Sequence, residues 1–241
     1  MEAHGWWALV SALITVEGLH AWYDPERPVL ASLSFALGAR EVVGLIGLNG
    51  AGKTTLLNVL SGLHPSFTAD ALTFEGKPLD LRASAFKRQR YTVFAEDHAF
   101  QYFSFREYLR HVCSAYGRAL PDVAALVSGF HFENYVDVLL KDLSTGNRKK
   151  AFLITAFALQ PPLLLLDEPV NGLDFQSTEF LYHCINAYRA VGTVLFSSHV
   201  LESITLTADR VLVLQDGQMR QQFSADTIDA AVIREALVDD Y

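Results

Sequence analysis

The stretch GLNGAGKTT, residues 47–55, lies between two runs of different periodicity. Before it comes the apolar, β-prone EVVGLI at 41–46; after it KTTLLNVLSG at 53–62 places Leu56, Leu57 and Leu60 at helical spacing. That order calls for a strand, a glycine-rich turn and a helix start, which is the unit of a layered α/β sheet. Gly47, Gly50 and Gly52, with Asn49 between them, leave backbone N–H groups free to point inward at an anion, and the helix N-terminus adds its dipole. Lys53 is placed to reach the outer phosphates of a nucleotide, and the hydroxyl of Thr54, followed by Thr55, to hold Mg²⁺. Gly62 falls where such a helix should end in a left-handed residue. The spacing G-x-x-x-x-G-K-[ST] arises by chance in roughly one chain of this length in a hundred, so the flanking strand and helix carry much of its specificity.

A second segment completes the chemistry. LLLLDEP at 163–169 runs an apolar strand into two acids, and in parallel α/β sheets ligands bind at the carboxyl ends of strands. Asp167 is placed to hold Mg²⁺ and Glu168 to orient a water or take its proton. Taken alone, an acidic strand end without a ligand is the simpler reading; beside a phosphate loop it is not.

Composition narrows the classes. The 241 residues are 51% hydrophobic, enough for one sizeable core. A net charge of -8 argues against a nucleic-acid backbone as the principal partner, because that affinity comes from excess Lys and Arg. The opening MEAHGWWALVSALITVEG carries Glu2, lacks a basic start and has no apolar run near the roughly 20 residues of a membrane span. It reads as a short extension feeding the first strand, and the chain as soluble by itself. Cys113 and Cys184 show no ligand spacing and read as buried free thiols of a reducing compartment, and the eight His residues show no structural metal pattern.

Along the chain, residues 13–46 read as β-rich, with a turn at DPERP and Leu33, Phe35 and Leu37 opposite Ser32 and Ser34 on a half-buried antiparallel strand. FKRQR at 86–90 reads as a solvated helix face. Residues 100–160 are helix-like, broken at Gly117, Pro121 and Gly129, and imply a helical insertion between β-containing halves. From Pro161 the chain returns to strand, helix, strand; RVLVLQDGQMRQQF reads as a hairpin around Asp216 and Gly217, and SADTIDAAVIREAL as a final helix with Ser224 as N-cap.

Taken in order, GLNGAGKTT, LSTGN, LLLLDEP, NGLD and SSH resemble the nucleotide-binding subunit of an ATP-binding cassette (ABC) transporter, from about Leu13 to about Phe223. The resemblance implies an α/β fold with a P-loop NTPase core, an antiparallel β subdomain and a helical insertion. It implies a single ABC ATPase domain, with the ATP-binding core at about 13–95 and 155–223, a helical subdomain at about 97–154 and a C-terminal helix at 224–241. Residues 47–55 would be the Walker A loop, and Asp167 and Glu168 the Walker B acid and catalytic carboxylate. Tyr23 would be the adenine-stacking aromatic, although Trp22 is an alternative. NGLD would cross the dimer interface through Asp174, and His199 would be the switch histidine at the γ-phosphate. LSTGN corresponds to the signature LSGGQ, so Ser144 and Gly146 would close over the γ-phosphate bound by a second ABC ATPase subunit, identical or not.

Two departures stand out. Thr145 and Asn147 replace a Gly and a Gln of the signature, and β-branched Thr145 would resist a positive φ. The Gln that the family places after a strand ending the first lobe is absent; YTVFAEDHAF offers Glu96, a candidate Mg²⁺ ligand that would also add charge beside the γ-phosphate. The adjacent AFQYFSF, residues 99–105, reads equally as core and as part of the groove that in the family receives a membrane subunit.

The resemblance therefore implies an ATPase that binds ATP and Mg²⁺, sits peripherally on the cytoplasmic face of a membrane and powers a transmembrane permease subunit, more like the exporter branch. The alternatives are a soluble ABC ATPase acting on DNA or ribosomes, which the single cassette and acidic balance disfavour, and a weakly hydrolysing partner in a heterodimer.

Overall fold

The computed structural model describes residues 12–238; the expected N-terminal extension up to residue 11 and the end of the expected last helix, 239–241, lie outside the described residues. In chain order the first half contains β1 (Ala12–Asp24), β2 (Arg27–Gly38), β3 (Val42–Ile46), α1 (Lys53–Leu60), β4 (Phe67–Thr68), β5 (Ala71–Phe74), β6 (Lys77–Pro78), α2 (Ser84–Lys87) and β7 (Arg90–Val93). Then come α3 (Phe105–Ala115), α4 (Ala124–Gly129), α5 (Thr145–Leu159), β8 (Leu163–Leu166), α6 (Phe175–Ala187), β9 (Thr193–Ser198), α7 (Leu201–Thr207), β10 (Arg210–Gln215), β11 (Gln218–Ser224) and α8 (Ala230–Val238).

The strands form two sheets. One is antiparallel, in the order β2-β1-β5-β6 with β4 also on β1; the other has six strands in the order β11-β10-β3-β9-β8-β7. In the second, β10, β3, β9, β8 and β7 are parallel and β11 closes one edge antiparallel. All the carboxyl ends of the parallel strands thus leave from one edge, where a ligand can be met by several loops at once.

The leucines of β8 show why the strand sits in mid-sheet. All four are fully buried, as expected where both faces of a parallel sheet are covered. Leu163 and Leu165 join a core with Leu56 and Leu57 of α1, Ile14 of β1 and Leu33 of β2. Leu164 and Leu166 join Phe105 of α3, Phe152 of α5 and Leu181 of α6 on the other face. Each leucine contributes about 1.5–3 kcal/mol by burial, and a one-residue slip would exchange the two cores. On β2, Leu33, Phe35 and Leu37 are buried and Ser32 exposed, as the alternation predicts.

Four local readings change. FKRQR is not a solvated helix face: α2 ends at Lys87, Phe86 is buried, and Arg90 is buried at the start of β7, where its guanidinium donates to the Ser61 and Leu81 carbonyls. The last helix is capped by Asp229, whose Oδ1 accepts from the N–H groups of Ala231 and Val232; Ser224 instead ends β11. A carboxylate one residue before the helix outcompetes a serine several residues upstream. The boundary placed near residue 154 falls inside α5, one unbroken helix. AFQYFSF divides: Phe105 is core, while Phe100 and Tyr102 are 40% and 75% exposed.

Candidate nucleotide-binding and catalytic site

The loop between β3 and α1 is wrapped around its own lysine. Lys53 is buried, and its Nζ donates to the carbonyls of Gly47 at 2.7 Å and Leu48 at 3.2 Å. Gly52 precedes the helix with φ +106° and no side chain caps the first turn, so early N–H groups of α1 remain available to an anion. A side chain at Gly47 would strike the Leu214 carbonyl at 2.2 Å. The loop frames a cleft of ≈ 360 Å³ lined by residues 49, 50 and 52–55 together with Val29 and Glu168. Gly50, Gly52, Asn49, Lys53, Thr54 and Thr55 are therefore together, with Gly47 at the base of the same loop.

Register brings the acids to the cleft. Ile46 pairs with Ser198 and Leu166 with Phe196, so Gly47, Asp167 and His199 emerge near one level of adjacent strands. Asp167 is 1% exposed. Its Oδ1 accepts from Ser197 Oγ at 2.6 Å, while its Oδ2 is buried without a hydrogen-bond partner. A buried carboxylate oxygen left unpaired calls for a cation, and the Thr54 hydroxyl is a second hard oxygen donor. Among the described residues no group of three or more His, Cys, Asp or Glu could hold a metal by itself. That donor set fits Mg²⁺, which binds through one or two carboxylates plus substrate phosphates.

Glu168 follows with φ +46°. Its N–H donates to Ser197 Oγ at 2.9 Å, and its Oε2 lies 2.8 Å from Nδ1 of His199. Ser197 thus positions both acids, a role that no reading of the sequence assigned to it.

Ser144 is the N-cap of α5, its Oγ accepting from the N–H of Asn147 at 3.2 Å. Thr145 is the first helical residue and is not among the positive-φ positions, so the substitution costs no backbone strain there. Gly146 packs on the loop before α6; a Cβ would sit 2.2 Å from the Gly172 carbonyl. Asp174 caps α6 through the N–H of Ser177 at 2.8 Å and takes Lys150 Nζ at 2.6 Å. The Lys150 hydrogen bond first, then that from Ser177, hold its carboxyl well below the usual carboxylate range. The signature run and the Asp174 loop are thereby tied together, a contact the sequence reading did not foresee.

Tyr23 and Glu96, like Ser144, Gly146, Asp174 and His199, are not among the residues lining the phosphate cleft. Tyr23, 63% exposed near the end of β1, turns its ring toward His64, with centroids 4.6 Å apart; Val29, which the sequence reading passed over, lines the cleft instead. Glu96 lines a neighbouring cavity of ≈ 150 Å³ with Thr145 and Lys149. Cys113 and Cys184 are free and buried, and burial pushes the Cys184 thiol up to about 12.

The family model described as ABC transporter matches residues 30–171. The putative ABC transporter ATP-binding protein AlbC of Bacillus subtilis is 33% identical over 219 residues, covering 87% of this chain and 91% of that protein. The Nod factor export ATP-binding protein I of Burkholderia orbicola is 34% identical over 200 residues, 80% of this chain but only 65% of that longer protein. Among solved structures, an ATP-binding subunit of an ABC transporter superposes with a TM-score of 0.80 at 27% identity, covering 95% of both chains. A nucleotide-free ATP-binding cassette superposes with a TM-score of 0.75 at 19% identity, which speaks for the fold alone. The family match over more than half of the chain and the 33% identity to a relative covered almost end to end agree with the phosphate loop and acid pair described above, and the chain belongs to the ABC transporter family as one of its ATP-binding, ATP-hydrolysing subunits.

Proposed function

We propose that this subunit hydrolyses ATP at a site completed by a second ABC ATPase subunit and thereby drives export through a separate transmembrane permease subunit on the cytoplasmic face of a membrane. The observation that carries the chemistry is the 2.8 Å contact between Glu168 and His199, with Glu168 lining the phosphate cleft. The similarity to a protein named for Nod factor export supports the outward direction. Among the described residues no helix is long and apolar enough to cross a membrane; we place the membrane path in the permease subunit. A groove of ≈ 610 Å³ lined by Lys87, Arg88, Phe100, Tyr108 and Tyr116 is the surface we assign to it.

Lys53 exchanges its loop carbonyls for the outer phosphate oxygens, whose charge the N–H groups of the loop and of Lys53, Thr54 and Thr55 offset. Thr54 and Asp167 would hold Mg²⁺, and Glu96, which lines a separate cavity with Lys149, would be a further carboxylate available to it. When bound, that ion supplies charge stabilisation of the transferred phosphoryl group. Glu168 orients the attacking water and accepts its proton, while His199 fixes the carboxylate and donates to the γ-phosphate. Ser144 and Gly146 of the second subunit, with Asp174 at the interface, would close over that phosphate; Tyr23 would flank the adenine. Light scattering of Glu168→Gln with and without ATP tests the pairing: ATP should raise its mass to that of two chains, and an unchanged monomer mass would refute it.

A further inference from the structure

Lys149 lies in the second turn of α5 and is 4% exposed. Its ammonium donates to the backbone carbonyl of Glu168 at 2.9 Å. A buried ammonium resting on a neutral acceptor is costly, since desolvation penalises the charge more than one carbonyl restores. Desolvation indeed lowers its pKa, opposed in turn by Asp167, Glu168 and Glu96. The lysine therefore sits in the field of Asp167, Glu168 and Glu96, yet it makes its hydrogen bond to a peptide group.

That peptide is unusual. Glu168 is a non-glycine residue at φ +46°, a conformation that persists only where neighbours impose it. Its N–H is fixed by Ser197 Oγ at 2.9 Å, and its carbonyl takes both Lys149 Nζ and, at 3.2 Å, the N–H of Asn171. If the carbonyl were released, relaxation toward negative φ would swing the side chain and part Oε2 from His199 Nδ1. The side-chain clamp on the carbonyl comes from α5, the helix that Ser144 caps.

We propose that Lys149 is a positioning residue for hydrolysis: it holds the Glu168 peptide in the left-handed conformation that aims the carboxylate at His199 and the phosphate cleft. The same contact ties Glu168 to the helix carrying Ser144 and Gly146, so a shift of α5 on assembly with a second subunit reaches the carboxylate directly. The proposal rests on Glu168 being the group that activates water.

The test uses the full chain as Lys149→Gln, Lys149→Arg, Glu168→Gln and the Lys149→Gln/Glu168→Gln double variant. Phosphate release is followed against ATP concentration, and affinity for a fluorescent ATP analogue is measured in EDTA. Lys149→Gln should lower kcat about tenfold or more while KM and analogue affinity stay within about threefold. Lys149→Arg, which can still donate to the carbonyl, should recover most of the rate, and the double variant should be no slower than Glu168→Gln alone. A Lys149→Gln enzyme within about twofold of the parent kcat overturns the proposal. So does a loss that Lys149→Arg does not relieve and that analogue affinity and melting temperature share, which marks a structural role. If Glu168→Gln hydrolyses at the parent rate, the assignment of Glu168 falls, and the positioning role falls with it. If Glu168→Gln is inactive and Lys149→Gln is not, only the positioning role falls.

Discussion

His199 and Glu168 leave the ends of neighbouring parallel strands and meet at 2.8 Å between Nδ1 and Oε2. The contact makes the histidine the hydrogen-bond partner of the carboxylate at the phosphate cleft, in the manner of a general base oriented by a second group.

Replacing His199 with Ala should therefore lower kcat by about 10²- to 10³-fold. Affinity for ATP should change little, because the loop N–H groups and Lys53 that line the phosphate cleft hold most of the triphosphate. Steady-state phosphate release beside equilibrium nucleotide binding separates the two effects; parallel losses in both would contradict the assignment.

Asp167 makes a prediction about the metal. Its unpartnered buried Oδ2 is the protein oxygen best suited to a hard cation, so Asp167→Asn should weaken the Mg²⁺ dependence of hydrolysis strongly. The concentration of Mg²⁺ giving half-maximal rate should rise about tenfold or more, since the amide is a poorer ligand than the carboxylate. An unchanged Mg²⁺ titration would remove Asp167 from the metal site. Because the amide keeps an acceptor for Ser197 Oγ, the fold should survive the substitution.

Much of this site was legible because its chemistry depends on local spacing. The phosphate loop at 47–55, the acids at 167–168 and the strand-helix alternation around them follow from residue periodicity, since turn, cap and strand-end geometry are set within a few positions. What was hidden depends on tertiary register. Lys149 reads as one of two consecutive lysines, and only the tertiary placement of α5 brings its ammonium to the Glu168 carbonyl. Ser197 becomes a carboxylate partner through the pairing of β9 with β8, and Lys150 meets Asp174 across 24 residues. One local signal was simply passed over: Ser104 and Glu107 form a reciprocal capping box that starts α3, a spacing visible in SFRE.

Asp174 carries a pH signature. Its folded-state pKa is depressed, first by the Lys150 hydrogen bond, so its contribution is present above the ordinary unfolded value of about 3.9. The contribution is lost as pH falls below that value through the folded pKa. Asp174→Ala should destabilise the chain by about 1 kcal/mol at neutral pH through loss of the α6 cap. The difference in melting temperature from the parent should shrink as the pH drops below about 4. A difference independent of pH would mean that the charge contributes nothing.

Gly146 should tolerate no side chain. A Cβ 2.2 Å from the Gly172 carbonyl forces backbone apart from backbone, so Gly146→Ala should cost about 1–3 kcal/mol and displace the first turn of α5. Denaturant midpoints together with phosphate release check it: both should fall, and a fully stable, fully active Gly146→Ala would show that the two loops move apart freely.

The most direct test is single-turnover phosphate release from the purified chain and its Glu168→Gln variant, both loaded with ATP and Mg²⁺. The parent should release phosphate, while the variant should bind ATP with similar affinity and release phosphate about 100-fold more slowly or worse. Equal rates from the two proteins would contradict this and place the water-activating group elsewhere.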